Sequence, residues 1–236
     1  MFSYFFFFSW AIFWILLLLL PPGPKEIVSC YRLNFFHGLI SSIVSILCVL
    51  EVLSFPLTTN CTLSYFVVDF INILLTDFIW KVPSYHNPQS RKVEYFHHIL
   101  CFIVGLMSEL YYQDYCSFEK NPFVKLMFAE IPTPFLIAWR YYKYEWIGVI
   151  FGVVFFIVRI LYQGIFLVPD CIRNCHPIVG YGFGIPYNIL NLYFFYGIVR
   201  KAIRDNWKKS TSRWNWLSGQ VSNNIWSVCI LLSLTW

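Results

Sequence analysis

The residues best suited to chemistry are two adjacent histidines, His97 and His98, which open the apolar stretch Ile-Leu-Cys-Phe-Ile-Val-Gly-Leu-Met. A neutral imidazole accepts a proton near physiological pH, and histidine is the side chain that most often acts as a general base. In a lipid-embedded helix such a side chain is costly unless it faces the protein interior. The pair is therefore a candidate catalytic or binding site, and the alternative is a hydrogen-bonded pair at the membrane interface.

Helical geometry limits what the two histidines can do together. On an α-helix His97 shares a face with Cys101, whereas His98 is turned by about 100° and aligns with Glu109. Two rings that point apart cannot hold a metal ion by themselves. We therefore expect no metal site and no bound cofactor.

Other polar side chains interrupt the apolar segments and could partner a histidine. They are Asp69, Asn72, Glu109, Glu130 and Arg159. Pro132 and Pro134 follow Glu130, and a proline removes a backbone hydrogen bond and kinks a helix. We therefore expect an opened helix beside this acid. Alternatively, Arg159 pairs with Glu130 or Asp69 and only holds helices together, as intramembrane charges usually do.

Composition determines the class of protein that must position these side chains. The chain is 58% hydrophobic, 22% aromatic and 12% charged, well below the roughly 25% charged content of a soluble domain. We predict an all-α, multi-pass transmembrane bundle of about seven spans. The expected spans are 5–20, 36–57, 65–82, 94–112, 122–141, 146–168 and 179–199. The net charge of +5 comes from residues that flank these spans, so nucleic acid is not an expected partner.

The distribution of Lys and Arg predicts the orientation, because short cytosolic loops carry the excess of positive charge. If the loops alternate between two sides, only Lys120, Lys125 and Arg173 fall on one side and nearly all other basic residues on the other. This predicts a lumenal or outside N-terminus and a cytosolic C-terminus. On the outside, Asn60-Cys-Thr is a glycosylation motif that lies very close to the membrane.

Four cysteines also fall in the predicted outside loops, where disulfides can form. Among them, Cys171 and Cys175 are candidates for a disulfide that would constrain the loop between the last two spans. Zinc is not expected there, because no second closely spaced pair of cysteines supplies further ligands.

The two ends of the chain differ from its middle. The segment 1–29 has a Leu-rich run but no basic start and no small-residue cleavage site, so we interpret it as a first span and loop and not as a signal peptide. The segment 205–236 is a basic, Trp-rich tail, expected at the cytosolic membrane surface or disordered.

Five motifs occur in order along the middle of the chain. They are Cys-Tyr-Arg-Leu-Asn-Phe-Phe-His-Gly at 30–38, Leu-Ser-Tyr-Phe-Val-Val-Asp at 63–69, Phe-His-His-Ile-Leu at 96–100, Phe-Ala-Glu-Ile-Pro-Thr-Pro-Phe at 128–135 with Arg140, and Val-Arg-Ile at 158–160. Together they resemble the TLC-domain family, named for the translocating-chain-associated membrane protein, the longevity-assurance proteins and a ceroid-lipofuscinosis protein. The resemblance covers about 30–204, implies a domain of six spans, and is strongest to the small TLC-domain-containing transmembrane proteins.

The resemblance implies two different functions. The small members imply a protein of lipid homeostasis in the endoplasmic reticulum or plasma membrane, which binds or regulates phospholipid or sphingolipid. The ceramide synthases of the family imply an N-acyltransferase that joins an acyl group from acyl-CoA to a sphingoid base. In those enzymes a pair of aspartates follows the His pair one span later, whereas here only Glu130 is acidic. This reading makes His97 or His98 the base and Glu130 or Asp69 its orienting acid.

Two other classes of membrane protein remain as alternatives. A heptahelical receptor matches the predicted topology, but span three ends in Asp77-Phe-Ile-Trp-Lys81 without an Asp-Arg-Tyr-like switch, and span seven has no Asn-Pro-x-x-Tyr. A transporter is also possible, although the sequence shows no inverted repeat. Membrane lipids are therefore the expected partners, and the sequence indicates no particular protein partner.

Overall fold

The structure, a computed structural model, describes residues 3–23, 27–81, 88–115 and 122–214. Within these ranges it is all-helical, with no β-strand, so the all-α fold class is confirmed. Cys116, Lys120 and most of the Trp-rich tail lie outside the described residues.

Nine α-helices make up the described part of the chain. In order they are α1 (Tyr4–Leu19), α2 (Ile27–Val49), α3 (Phe55–Leu74), α4 (Pro88–Tyr115), α5 (Pro122–Leu126), α6 (Thr133–Tyr142), α7 (Glu145–Phe155), α8 (Val168–Asn174) and α9 (Ile185–Trp214). π-Helical segments continue α3 and α7 and precede α9, at Leu75–Trp80, Phe156–Leu167 and Ile178–Gly184. A 3₁₀ turn, Met127–Glu130, follows α5.

Three helical stretches of the described chain are long and apolar enough to cross a membrane. They are Val28–Val49, Phe55–Trp80 and Glu145–Asn174. α1 is apolar but has 16 residues, whereas a span needs about 20. The fold is consistent with a membrane protein, and both the count of seven spans and the orientation of the termini stay predictions.

The second and third helices begin and end earlier than the expected spans 36–57 and 65–82. α2 ends at Val49, the chain turns at Glu51 with a φ of 63°, and α3 begins at Phe55 with a proline in its first turn. Proline favours this position because its missing N–H has no partner at a helix start. The polar run that follows therefore belongs to α3 and not to a loop.

Threonine side chains stabilise this polar start of α3. The hydroxyls of Thr58 and Thr59 each donate to the carbonyl four residues earlier, both at 3.1 Å. Such bonds within one helix satisfy hydroxyl groups that are shielded from water. Both threonines are fully buried, which composition alone does not predict.

α1 packs against α3 through two tryptophans one turn apart. The rings of Trp10 and Trp14 are stacked, and their indole N–H groups donate to the carbonyls of Leu57 at 3.1 Å and Cys61 at 3.0 Å. Trp14 is fully buried. The first helix is therefore part of the core of the bundle.

The expected break beside Glu130 is confirmed. α5 passes into the 3₁₀ turn that ends at Glu130, and α6 starts only at Thr133. Side chains of the π-helical segment 156–167 satisfy carbonyls near the break: Arg159 Nε donates to Ala129 at 2.7 Å, and Gln163 Nε2 donates to Leu126 at 2.9 Å.

An acidic side chain fixes the start of α4 against the end of the α3 segment. Asp77 Oδ2 lies 3.0 Å from Arg91 Nε and accepts a hydrogen bond from the Tyr95 hydroxyl at 2.7 Å. Arg91 Nη1 also pairs with Glu94 at 2.6 Å. These contacts hold α4 in the register that brings His98 to Asp69.

The chain divides into two compact units, 1–195 and 196–236. The second unit is described as far as Trp214 and consists of the end of α9. Its side chains Arg200, Lys201 and Arg204 are exposed.

Candidate functional site

Polar side chains line the contact between α2 and α3 over several turns. We call this set the polar seam; it comprises Cys30, Asn34, His37 and Ser41 of α2 and Thr62, Tyr65, Asp69 and Asn72 of α3. On each helix the members are three or four residues apart, so they lie on one face. Most of them are fully buried.

Each member of the seam meets a partner across or along the two helices. The hydroxyls of Ser41 and Thr62 are 3.0 Å apart, and Asn72 Nδ2 lies 3.5 Å from Cys30 Sγ. The Tyr65 hydroxyl donates to Asn34 Oδ1. The seam therefore joins the two helices by hydrogen bonds where lipid-facing helices would show apolar residues.

His98 is bonded at both ring nitrogens. Its Nε2 lies 2.8 Å from Asp69 Oδ2, and its Nδ1 lies 2.9 Å from the main-chain oxygen of Glu94. The Tyr65 hydroxyl approaches the same Asp69 oxygen at 3.2 Å. Asp69 is 1% exposed and His98 is 8% exposed, so these contacts are shielded from water and strong.

His97 has a different environment, as the turn of about 100° between neighbouring helix positions predicts. Its ring is nearly perpendicular to that of His98, at 88°. Its two nitrogens lie 3.6 and 3.7 Å from Cys101 Sγ, and Phe66 contacts it edge-on. His97 is half-buried. Among the described residues, it forms no hydrogen bond with Asp69 or Glu130.

Glu130 connects α2 to the break and to the segment after α7. Its Oε2 accepts a hydrogen bond from the Thr133 hydroxyl at 2.8 Å and lies 3.8 Å from His37 Nδ1. Its Oε1 lies 3.4 Å from Arg159 Nη2. Of the two acids considered for Arg159, Glu130 is its partner, whereas Asp69 is paired with His98.

His37 packs directly on the seam. Its ring is stacked on that of Tyr65, with centroids 3.4 Å apart and an interplanar angle of 6°. His37 also lies close to α6, since a Cβ added to neighbouring Gly38 would come within 2.7 Å of Pro134. The ring is therefore fixed in plane and position.

The ionisable groups lie at mid-depth of the helices that could cross a membrane. His37 is near the middle of Val28–Val49, Asp69 is near the middle of Phe55–Trp80, and Arg159 is near the middle of Glu145–Asn174. Charged or titratable side chains at that depth are costly and usually face a functional interior. Here each has an oppositely charged or polar neighbour inside the protein.

Three buried polar atoms of the site have no hydrogen-bond partner among the described residues. They are His37 Nε2, Asp69 Oδ1 and Asn72 Oδ1. Each of these residues is 1% exposed. Buried polar atoms are satisfied in the great majority of cases, so such a group indicates a site for a ligand or for water.

Two predicted residues lie elsewhere. Glu109 of α4 is bonded to Thr59, with 2.6 Å between its Oε2 and the threonine hydroxyl. The glycosylation candidate Asn60 is fully buried inside α3, and its Nδ2 donates to the Pro56 carbonyl at 2.7 Å. Because the nitrogen that would carry the sugar is buried and bonded, the prediction of a glycosylation site is wrong.

The prediction of a disulfide between Cys171 and Cys175 is also wrong. Cys171 is a free, buried thiol, whereas Cys175 is disulfide-bonded to a different cysteine. Cys171 lies within α8, whereas Cys175 follows the last helical residue and has extended backbone, with a φ of −115° and a ψ of 164°. Within the described ranges, no three His, Cys, Asp or Glu residues are grouped to hold a metal ion.

Sequence reasoning missed several members of the site. Asn34, His37 and Tyr65 stand in the quoted motifs without a predicted role, and the sequence does not predict that Gln163 bonds to the Leu126 carbonyl at the break. The detectable signal was the spacing of polar residues on α2, at 30, 34, 37 and 41, which marks one face of a helix. Gln163 is bonded across to Asn191 at 3.5 Å, a contact that no local pattern predicts.

Comparisons of this chain with protein families, with curated proteins and with solved structures find no match. The function is therefore a proposal, argued from the geometry of the site and from the motifs of the sequence.

Proposed function

We propose that this protein acts in membrane lipid homeostasis by binding the polar part of a phospholipid or sphingolipid at the polar seam. The observation that carries the proposal is a group of buried atoms on His37, Asp69 and Asn72 that have no hydrogen-bond partner among the described residues. A hydrogen-bond donor of a lipid would satisfy them at a depth where water is scarce. The resemblance to the small TLC-domain proteins of the endoplasmic reticulum or plasma membrane supports the same function.

The outer surface of the candidate spans supports contact with lipid. Large apolar side chains are exposed there, such as Ile43 at 47%, Ile71 at 49% and Val149 at 59%. An exposed apolar surface of this kind is typical of contact with a membrane. Lipid chains can therefore pack against the same helices that carry the polar seam.

A second candidate function is acyl transfer from acyl-CoA to the amine of a sphingoid base. It is favoured by the contacts of histidine with carboxylate at His98–Asp69 and His37–Glu130. In this reaction the amine attacks the thioester carbonyl, a C–N bond forms and the C–S bond breaks. A histidine takes the amine proton and passes it to the departing thiolate, so the products are an amide and the free thiol of CoA.

The test is quantitative lipidomics on membranes that contain the wild type, the double variant His97→Ala/His98→Ala or an empty vector. Protein levels are matched, and His176→Gln serves as a control because His176 is an exposed histidine away from the site. If the protein is an acyltransferase, we expect the ceramide level to rise when the wild type is present. The double variant should form ceramide at a rate lower by about 100-fold or more.

Other outcomes separate the two candidates. A change in phospholipid or sphingolipid composition that needs the histidines, with ceramide synthesis unchanged, supports binding or regulation without catalysis. If none of the lipid classes differs between wild type and vector, both functions are rejected.

A further inference from the structure

Both ring nitrogens of His98 are engaged, so neither is free to accept a proton. Both its ring nitrogens face acceptor oxygens, one of Asp69 and one of the Glu94 main chain. A carbonyl oxygen accepts only from a protonated nitrogen, so Nδ1 carries a proton. One further proton is shared between Nε2 and the Asp69 carboxylate. The His98 ring therefore cannot take up a proton from another molecule without breaking these contacts.

The two ring nitrogens of His37, in contrast, have different surroundings. Its Nδ1 faces the Glu130 carboxylate at 3.8 Å, which favours a proton on that nitrogen. Its Nε2 has no hydrogen-bond partner in the part of the chain that the structure describes and is then a bare acceptor. Contacts between a base and its orienting acid are often long in a protein without substrate and tighten on binding.

The orientation of Glu130 is itself well determined. The Thr133 hydroxyl and the Arg159 guanidinium hold one carboxylate oxygen each, and stacking on Tyr65 holds the His37 ring. An acid, a ring with a fixed plane and a free nitrogen on its far side are the three parts of an oriented general base.

We propose that His37 Nε2, and not a nitrogen of His98, is the proton acceptor of this site and binds an N–H or O–H donor of the lipid. The proposal rests on the proposed lipid function and names the chemistry of its ligand. His98 and Asp69 act as a positioning pair, which holds the free Asp69 oxygen beside the seam.

Charge balance defines the class of donor. Asp69 is balanced by His98, and Glu130 is balanced by Arg159, so the site has no uncompensated negative charge for a permanent cation. A hydroxyl or an uncharged amine of a lipid fits. The quaternary ammonium of phosphatidylcholine does not fit, because it has no hydrogen to donate.

The experiment is ¹⁵N NMR of the histidine rings in the full-length protein in nanodiscs of dioleoyl phosphatidylcholine. The chain has five histidines, and single His→Gln variants assign their signals. Without added lipid, we expect one bare nitrogen on His37 and no bare nitrogen on His98. A bare nitrogen on His98, or protonation of both nitrogens of His37, would overturn the proposal.

Three probes then distinguish the possible donors. Sphinganine offers an amine and hydroxyls, 1,2-dioleoylglycerol offers a hydroxyl, and added phosphatidylcholine offers neither. We expect the His37 signal to shift with at least one of the first two and not with the third. A shift confined to His97 or His98 overturns the proposal but keeps lipid binding, whereas no shift with any probe rejects both.

Variants extend the test to function. If the protein is an acyltransferase, His37→Gln should lower its ceramide-forming rate by about 100-fold, whereas the matched change His176→Gln should leave the rate unchanged. An unchanged rate in His37→Gln contradicts the proposal. If His37→Gln does not fold, the wild-type spectra alone decide.

Discussion

Asp69 Oδ2 is approached from two directions, by the Tyr65 hydroxyl of its own helix and by His98 of α4. The carboxylate is almost completely buried. Breaking a buried, charge-assisted contact by changing one partner is costly, because the other partner keeps its polar group but loses its bond. The residue therefore has a structural role in addition to the one proposed for its free oxygen.

The first prediction follows from this pairing. Asp69→Asn removes the negative charge that pairs with His98. This change should lower the free energy of unfolding by about 1–3 kcal/mol. Thermal unfolding in detergent micelles measures the change. Asp170→Asn is the matched control, since the Asp170 carboxylate accepts a hydrogen bond from the exposed side chain of Asn174, and it should cost less than about 0.5 kcal/mol. Equal losses in the two variants would contradict the role assigned to Asp69.

At the scale of elements, the approach of α2 to α6 depends on a residue without a side chain. A Cβ at Gly38 would lie 2.7 Å from Pro134 Cδ and 2.8 Å from Thr133 Cβ. Neither atom is the end of a flexible side chain. The two helices can therefore lie this close only while position 38 is glycine, and their closeness places His37 next to Glu130.

The second prediction tests this close approach. Gly38→Ala should destabilise the protein by about 1–3 kcal/mol, because α2 and α6 must move apart. It should also reduce the response of the His37 NMR signal to lipid. Gly182→Ala is the control, since its added Cβ would meet only Ile178 at an ordinary 3.4 Å. Stability and lipid response that are both unchanged in Gly38→Ala would refute the argument.

The sequence predicted elements well where one residue type dominates the local backbone. Pro132 and Pro134 predicted the break beside Glu130, and helical spacing predicted that His97 shares a face with Cys101 while His98 points elsewhere. These signals are local, because proline geometry and helical periodicity act within a few residues.

Tertiary contacts explain what the sequence did not predict. Thr58 and Thr59 lie in the loop expected between the spans 36–57 and 65–82, because polar residues are usually exposed. In the structure they belong to α3, and their hydroxyls donate to backbone carbonyls four residues earlier. The role of His37 depends on Tyr65 and Glu130, which lie far from it in the chain. Which of two histidines meets Asp69 depends on the register of α4, and no pattern in the chain fixes that register.

At the scale of the whole molecule, the burial of Asn60 has a consequence for processing. The third prediction is that Asn60 carries no sugar when the protein is made in mammalian cells. Peptide mass spectrometry before and after N-glycosidase treatment checks it, and Asn60→Gln should leave the electrophoretic mobility unchanged. A glycan on Asn60 would show that α3 starts later than the structure places it.

The fourth prediction concerns orientation in the membrane. The basic residues of α9, including Arg200, Lys201 and Arg204, should hold the C-terminus in the cytosol. A C-terminal epitope tag should therefore be digested by protease added to sealed microsomes, whereas a lumenal marker protein should be protected. Protection of the tag would reverse the predicted orientation.

The polar seam also constrains how the protein enters a bilayer. Neither α2 nor α3 can face lipid alone without exposing Asn34, His37, Asp69 or Asn72 to hydrocarbon, where unpaired polar groups cost several kcal/mol each. Together the two helices pair Asn34 with Tyr65 and Asn72 with Cys30. If both helices cross the membrane, we expect the segment from Ile27 to Trp80 to enter it as a helical hairpin, with α2 kept in a polar environment until α3 has been synthesised.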